Sequence, residues 1–294
     1  MKVLNFGSLN IDYFFEVDHL VLPGETESSN NFFISCGGKG LNQSIALKRA
    51  GIDVFHAGKV GKSDSKILLN ILKENKVDIA YIKKSNCNSG HAFIQVDKNG
   101  ENNIVLNGGA NKKIDKRMIN SVLSNFKEGD YVVIQNEISS LDYLINLAHN
   151  KKMKIVFNPS PINDSILSLP LKYIDIFFLN SLEAEILSGN KKDPLSSLIK
   201  KYPNSQFVIT SGSKDSLYYD GSKTYSEKTM KIDAVDTTAA GDTFLGFFLA
   251  SYIREEKRPL LTANVASGLA CLKKGSTVSI PTLEEVKEKI KDLY

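Results

Sequence analysis

Val235-Asp236-Thr237-Thr238-Ala239-Ala240-Gly241-Asp242-Thr243-Phe244 passes from small polar residues straight into the apolar stretch Phe244 to Ile253. The change marks the start of a buried helix. A helix N-terminus leaves backbone N–H groups unpaired and its dipole favours negative charge, while small residues let the backbone approach a ligand closely. A phosphate group therefore has a place against Ala240, Gly241 and Asp242. An acid in the first turn is also a common cap, so the residues alone leave both readings of Asp242 open.

Outward from this helix, β-branched and aromatic runs recur at Val3 to Ser8, Val54 to Val60, Tyr131 to Gln135, Ile155 to Asn158, Ile174 to Leu179 and Phe207 to Thr210. Between most of them lie stretches with apolar residues at helical spacing: Leu41 to Ala50, Ser65 to Asn75, Leu141 to Lys151 and Leu182 to Gly189. Gly51 and Gly189 are suited to stop two of these helices. Strands alternating with helices predict an α/β fold with a doubly wound, mostly parallel sheet. Two segments break the rhythm. Tyr13 to Ser35 and Gly90 to Leu106 alternate in character and carry turns at Pro23-Gly24 and Asn99-Gly100. They predict a small β lid over the carboxyl edge of the sheet, where open α/β sheets bind ligands. The expected organisation is one domain over 1–294 with a discontinuous β lid formed by about 12–36 and 89–108.

Composition narrows the function. The 294 residues carry 37 basic and 33 acidic side chains, a scattered net charge of +4 that leaves no footprint for nucleic acid or an anionic membrane. The 3 cysteines, Cys36, Cys87 and Cys271, are widely spaced without a Cys-x-x-Cys pair, which fits a reducing, cytoplasmic setting. The opening MKVLNFGSLNID breaks its apolar run with Asn5, Ser8, Asn10 and Asp12, so no secretory signal is expected. Phe244 to Ile253 is too short to cross a bilayer.

Several chemistries fail on spacing. Gly61-Lys62-Ser63 resembles the end of a phosphate-binding P-loop, but His56 stands where the first glycine is needed. A dinucleotide-binding reading of Gly38-Lys39-Gly40 lacks its third glycine, because position 43 is Gln43. His19, His56, His91 and His149 are isolated, and Cys87 with His91 supplies at most two metal ligands. Two other segments are suggestive. Cys36-Gly37-Gly38-Lys39-Gly40-Leu41-Asn42-Gln43 offers a bare backbone with Lys39 and Asn42 as polar partners for a hydroxylated ligand, or a flexible turn. Asn10-x-Asp12 follows the first strand at its carboxyl end, as a substrate-facing pair or an Asx turn.

In this order the segments resemble the ribokinase-like, or PfkB, family of carbohydrate kinases, and the resemblance covers nearly the whole chain. Gly7-Ser8-Leu9-Asn10-Ile11-Asp12, Pro23-Gly24-Glu25-Thr26 and Gly37 to Gln43 match the family's N-terminal pattern, and Asp236 to Thr243 its C-terminal signature. Gly100-Glu101-Asn102, Gly109-Ala110-Asn111, Asn158-Pro159-Ser160-Pro161 and Asn180-Ser181-Leu182-Glu183-Ala184-Glu185 look like the ribose-phosphorylating members.

The resemblance implies an ATP-dependent phosphotransferase acting on the terminal hydroxyl of a sugar, D-ribose first, with fructose, another sugar or a nucleoside as alternatives. A silent sugar- or nucleotide-binding protein is the non-enzymatic alternative. By the same resemblance Asp242 is the catalytic base, and Ala239, Ala240 and Gly241 form an anion hole. Asn10, Asp12, Gly38, Lys39, Asn42 and Glu137 hold the sugar. Asn180, Glu183, Thr210, Gly212 and Gly241 serve the nucleotide, with Asn264 near the adenine. Glu183 is implicated with Mg2+, and Asp236, Thr238 and the segment Lys273, Gly275 to Ser279 with a K+ activator. A homodimer clasped through the lid is implied, with Phe14, Phe32, Phe33, Phe93 and Ile94 available to pack. Two departures stand out: Asp215 replaces a usual glycine in the nucleotide loop, and His91 occupies a lid position more often apolar or small, where it is expected to face solvent in preference to contacting substrate.

Overall fold

The strands whose apolar runs are unbroken occupy the middle of a 9-stranded sheet in the computed structural model, which describes residues 1–293. Tyr294, the last residue of the expected domain, lies outside the described residues. The strands are β1 (Val3–Phe6), β2 (Asn10–Glu16), β3 (Asn31–Gly37), β4 (Val54–Gly61), β5 (Asp78–Ser85), β6 (Gly90–Val96) and β7 (Asn102–Asn107). They continue with β8 (Tyr131–Gln135), β9 (Lys154–Asn158), β10 (Ile176–Asn180), β11 (Gln206–Thr210), β12 (Ser216–Tyr219) and β13 (Thr224–Glu227). The helices are α1 (Lys39–Arg49), α2 (Ser65–Glu74), α3 (Lys116–Leu123), α4 (Leu141–Asn150), α5 (Ser181–Ser188), α6 (Pro194–Lys201), α7 (Ala240–Ile253), α8 (Pro259–Cys271) and α9 (Leu283–Leu293).

The large sheet runs β13-β12-β11-β10-β9-β8-β1-β4-β5, and only β12 and β13 at one edge are antiparallel. Helices cover both faces, so its parallel strands are apolar on both sides. Successive side chains of one strand serve different cores: Val133 and Val156 pack with α1, α7 and α8, while Val132, Ile134, Ile155 and Phe157 pack with α3 and α4. The chain leaves β1 toward β4 and β5 and later returns to the other side of β1 as β8. That reversal opens a crevice at the carboxyl ends of β1 and β8.

Helix α1 is pressed into this crevice. A Cβ on Gly40 would lie 2.4 Å from the Ser8 nitrogen, and one on Gly246 of α7 would lie 2.4 Å from the Ala46 Cβ. Glycine at both positions lets α1 sit almost backbone to backbone between β1 and α7.

The second sheet has 4 strands in the order β3-β2-β6-β7. β2 pairs antiparallel with β3 and parallel with β6, from Asn10↔Gly90 to Glu16↔Val96. Its strands span 10–37 and 90–107, as expected for the two lid segments, although 17–30 forms connection rather than strand. The predicted core strands and helices are present within one or two residues of their expected ends.

Candidate active site

Asp242 lies in the first turn of α7 and is only 6% exposed. Its carboxylate is turned toward α1, where Asn42 Nδ2 donates to Oδ2 at 3.0 Å and Gln43 Nε2 donates to Oδ1 at 2.8 Å. Capping of its own helix is therefore not what these oxygens do. The residue before α7, Ala239, has the left-handed backbone φ 60°, a costly conformation for a residue with a Cβ. The chain there bends so that Ala239 and Gly241 border a recess of about 190 Å³ with Lys39, Asn158, Asn180, Glu183, Thr210 and Asp242.

On the other side of Asp242 a cleft of about 1280 Å³ runs beneath the lid and is lined by Asn10, Asp12, Gly38, Lys39, Asn42 and Glu137. Each of these residues sits just past the end of β1, on β2, at the start of α1 or past the end of β8. Gly38 caps α1 with φ 93°, a conformation in which a side chain is strained. Glu137 Oε2 accepts the Lys39 backbone N–H at 3.0 Å and the Ser8 hydroxyl, so the residue that looks most solvent-prone in sequence anchors the start of α1. Burial raises the Glu137 pKa, while the Lys39 charge and these hydrogen bonds pull the other way. Burial alone would lower the Lys39 pKa, but the carboxylates of Asp242, Glu137 and Glu183 outweigh it and hold the ammonium charged.

Asp12 is 8% exposed and its Oδ1 is buried without a hydrogen-bond partner. Burial first, and the Glu137 charge second, push its pKa up to about 7. Asn10 is oriented by a residue that sequence reasoning passed over: Asn111 Nδ2 donates to Asn10 Oδ1 at 2.8 Å, and Asn111 Oδ1 accepts the Leu9 N–H at 3.0 Å. With its oxygen occupied, Asn10 has its amide nitrogen free to donate.

On the recess side, Asn180 and Glu183 form a reciprocal cap of α5: Asn180 Oδ1 accepts the Glu183 N–H at 2.8 Å and Glu183 Oε2 accepts the Asn180 N–H at 2.9 Å. Asp236 Oδ1 accepts from Thr238 N and Oδ2 from Gly275 N, both at 2.8 Å. Partial burial would raise the Asp236 pKa, but these donors and Lys274 hold it below the usual carboxylate range. Asp236, Thr238 and Gly275 border the cleft.

Other expected residues are placed elsewhere. The Lys273 ammonium pairs with Glu285 at 3.1 Å, and the buried Ser279 hydroxyl donates to the Ser276 carbonyl at 2.8 Å. Asn264 Nδ2 donates to Ser216 Oγ at 2.9 Å and to the carbonyls of Glu227 and Lys228, tying α8 to β12 and β13. Neither Asn264 nor Gly212 lines the recess or the cleft. His91 corrects its expectation. Its ring lies 3.1 Å from Asp64 Oδ2 with the side chain only 12% exposed, so it ties the lid to the start of α2 instead of facing solvent.

A buried carboxylate with a backbone cradle on one side and a polar wall on the other defines a phosphotransferase that acts on an alcohol group. The chain belongs to the pfkB family of carbohydrate kinases, whose pattern matches residues 1–283. It is 34% identical to a ribokinase of Haemophilus influenzae over 298 residues, covering 96% of each chain. A ribokinase of Staphylococcus aureus is likewise 34% identical, over 98% of this chain and 99% of that one. Among solved structures, the ribokinase of Cryptococcus neoformans in complex with ADP superimposes with a TM-score of 0.85 at 32% identity, over 98% of this chain and 99% of that one.

Proposed function

We propose that this protein transfers the γ-phosphate of ATP to the terminal hydroxyl of D-ribose, giving D-ribose 5-phosphate. The observation that carries the proposal is the position of Asp242, buried where the polar wall of the cleft meets the bare backbone of the recess. The names of the similar proteins support ribose over fructose, another sugar or a nucleoside.

In this reading Asn10, Asp12, Gly38, Asn42 and Glu137 hold the sugar hydroxyls. A wall that bonds each hydroxyl penalises an analogue lacking one, because a buried polar group is then left unpaired. Asp242 receives the proton of the attacking hydroxyl, an alcohol being a poor nucleophile until a base shares its proton. The backbone of Ala239, Ala240 and Gly241 faces the phosphoryl group, and Lys39 adds a fixed positive charge where negative charge spreads in a loose transition state. Asn180, Glu183 and Thr210 border the recess in which the nucleotide phosphates lie.

The residues present fit the ions that the family implies. Glu183 reaches the recess with a carboxylate only partly used by its cap, which suits Mg2+ held through water and substrate phosphates. Asp236 with the backbone at Thr238 and Gly275 offers oxygen donors at the cleft edge for K+. Bound there, these ions neutralise phosphate charge. We further read the chain as one domain with a discontinuous lid, working in the cytoplasm with its 3 cysteines unpaired.

A homodimer through the lid completes the reading. The cleft-side lid residues Phe33, Ile104 and Leu106 are 43%, 53% and 53% exposed, apolar area that a second lid would cover. Light scattering should give twice 32.5 kDa; a 32.5 kDa particle at working concentration removes the dimer.

ADP release measured with ribose, 2-deoxyribose, fructose, adenosine and inosine, with and without potassium, tests the activity. Ribose should give the highest kcat/KM, with potassium increasing it. Absence of turnover with any pentose at millimolar concentration would overturn the assignment.

A further inference from the structure

Gln43 stands beside the site without a role in the resemblance, yet it makes the shorter of the two contacts to the Asp242 carboxylate, 2.8 Å from Nε2 to Oδ1. A glutamine amide can present either its nitrogen or its oxygen. Here the choice is made from behind: Gln135 Nε2 donates to Gln43 Oε1 at 2.7 Å, which leaves only the nitrogen for Asp242. Gln135 is fixed in turn, because the same Nε2 donates to Asn5 Oδ1 at 2.9 Å. Asn5 is fixed by donating to the Gly40 carbonyl at 2.8 Å and to Ser44 Oγ at 2.9 Å, and Ser44 meets His56 Nδ1 at 2.8 Å.

Asn5, Gln135, Ser44 and His56 are fully buried and Gln43 is 1% exposed. Buried polar groups are costly unless each finds its partners, and apolar side chains would fill this space between the sheet and α1 with less risk. The row ends in a group without charge, since burial pushes the His56 pKa down to about 4. No titrating charge therefore reaches Asp242 through it across the neutral range.

We propose that Gln43 is a positioning residue that aims the Asp242 carboxylate and keeps it ready to accept a proton, with Gln135 and Asn5 setting the direction of the Gln43 amide. This inference rests on the reading of Asp242 as the base. Asn42 donates to the other carboxylate oxygen, so two amides from successive residues of α1 hold one carboxylate oxygen each. Asn42 also borders the cleft and can exchange its bond for one with the sugar. Gln43 does not border it, and so holds its oxygen through the catalytic cycle. Loss of Gln43 leaves one carboxylate oxygen unheld and free to turn away from the attacking hydroxyl, so it acts on turnover rather than on sugar affinity.

Gln43→Met keeps the length and apolar volume and removes the donor. In the folded variant kcat should fall about 10- to 100-fold while the KM for ribose stays within about twofold. Gln135→Met, which touches neither substrate nor Asp242, should give the same signature more weakly, and serves as the test if Gln43→Met does not fold. A folded variant with kcat within twofold of wild type, or one in which KM and kcat deteriorate together, would overturn the inference. Asp242→Asn, measured alongside, separates this from failure of the underlying reading: it should lose about 10³-fold or more in kcat, and retained turnover there removes the base assignment itself.

Discussion

The two sides of Asp242 are built from different materials. Toward the lid, Asn10, Asp12 and Asn42 are buried side chains, and Asn10 and Asn42 are held by side-chain partners from other elements before any sugar arrives. Toward the recess, Thr237 and Gly241 are exposed, and the bare backbone at Ala239 and Gly241 forms the border. In the proposed reading the first is the sugar side, selective because it is preorganised, and the second is an open phosphate cradle whose charge balance would come from Lys39 and bound cations. A net charge of only +4 on the chain agrees with this, because no broad positive field gathers the nucleotide.

That contrast can be broken on either side. The larger effect is expected in the cradle. A Cβ on Gly241 meets nothing within 4 Å in the protein itself, so Gly241→Ala should fold with an unchanged melting temperature. The added methyl would nevertheless intrude where the phosphoryl group has to approach the backbone, and kcat should drop about 10²-fold with little change in ribose affinity. Wild-type kinetics in this variant would show that the cradle is not the phosphate site.

The smaller effect belongs to the polar wall and to pH. In the proposed reading Asp12 accepts sugar hydroxyls more strongly as a carboxylate than as a neutral acid, and its pKa of about 7 leaves it largely protonated at pH 6. Ribose binding, followed by calorimetry, should weaken about tenfold from pH 8 to pH 6, and Asp12→Asn should flatten that dependence. The sign for stability is opposite. The folded state keeps a proton that the unfolded chain releases near pH 4, so this carboxyl destabilises the fold progressively as pH rises from there to about 7. Asp12→Asn should therefore raise the melting temperature at pH 8 and leave it nearly unchanged at pH 4. A pH-independent ribose affinity in the wild type would remove Asp12 from the sugar wall.

Legibility in the sequence followed the same division. The central strands were readable because burial on both faces demands unbroken apolar runs, and the cradle was readable because its small residues are contiguous from Thr237 to Gly241. β12 and β13 escaped because Ser216–Tyr219 and the edge strand Thr224–Glu227 are short and of mixed polarity, and β5, at the other edge, because its apolar residues Ile79 to Ile82 are flanked by Asp78 and by Lys83 and Lys84. Gln43 and Asn111 lay inside quoted motifs, but their partners Asp242 and Asn10 are separated from them by 199 and 101 positions. No local pattern can show such a bond. His91 was misjudged for a related reason: an isolated histidine in a lid is read as facing solvent, whereas the fold supplies Asp64 as its partner.

The parallel pairing of β2 with β6 bears on how the molecule assembles. Antiparallel strands can close through a local turn, as β6 and β7 do, but β2 and β6 meet only after α1, β4, α2 and β5 have been laid down between them. Pairing at such a separation carries a loop-closure cost that a hairpin avoids. The lid is thus not a self-contained hairpin unit: the pairing of β2 with β6 ties its shape to the strands and helices of the large sheet that lie between them in the chain.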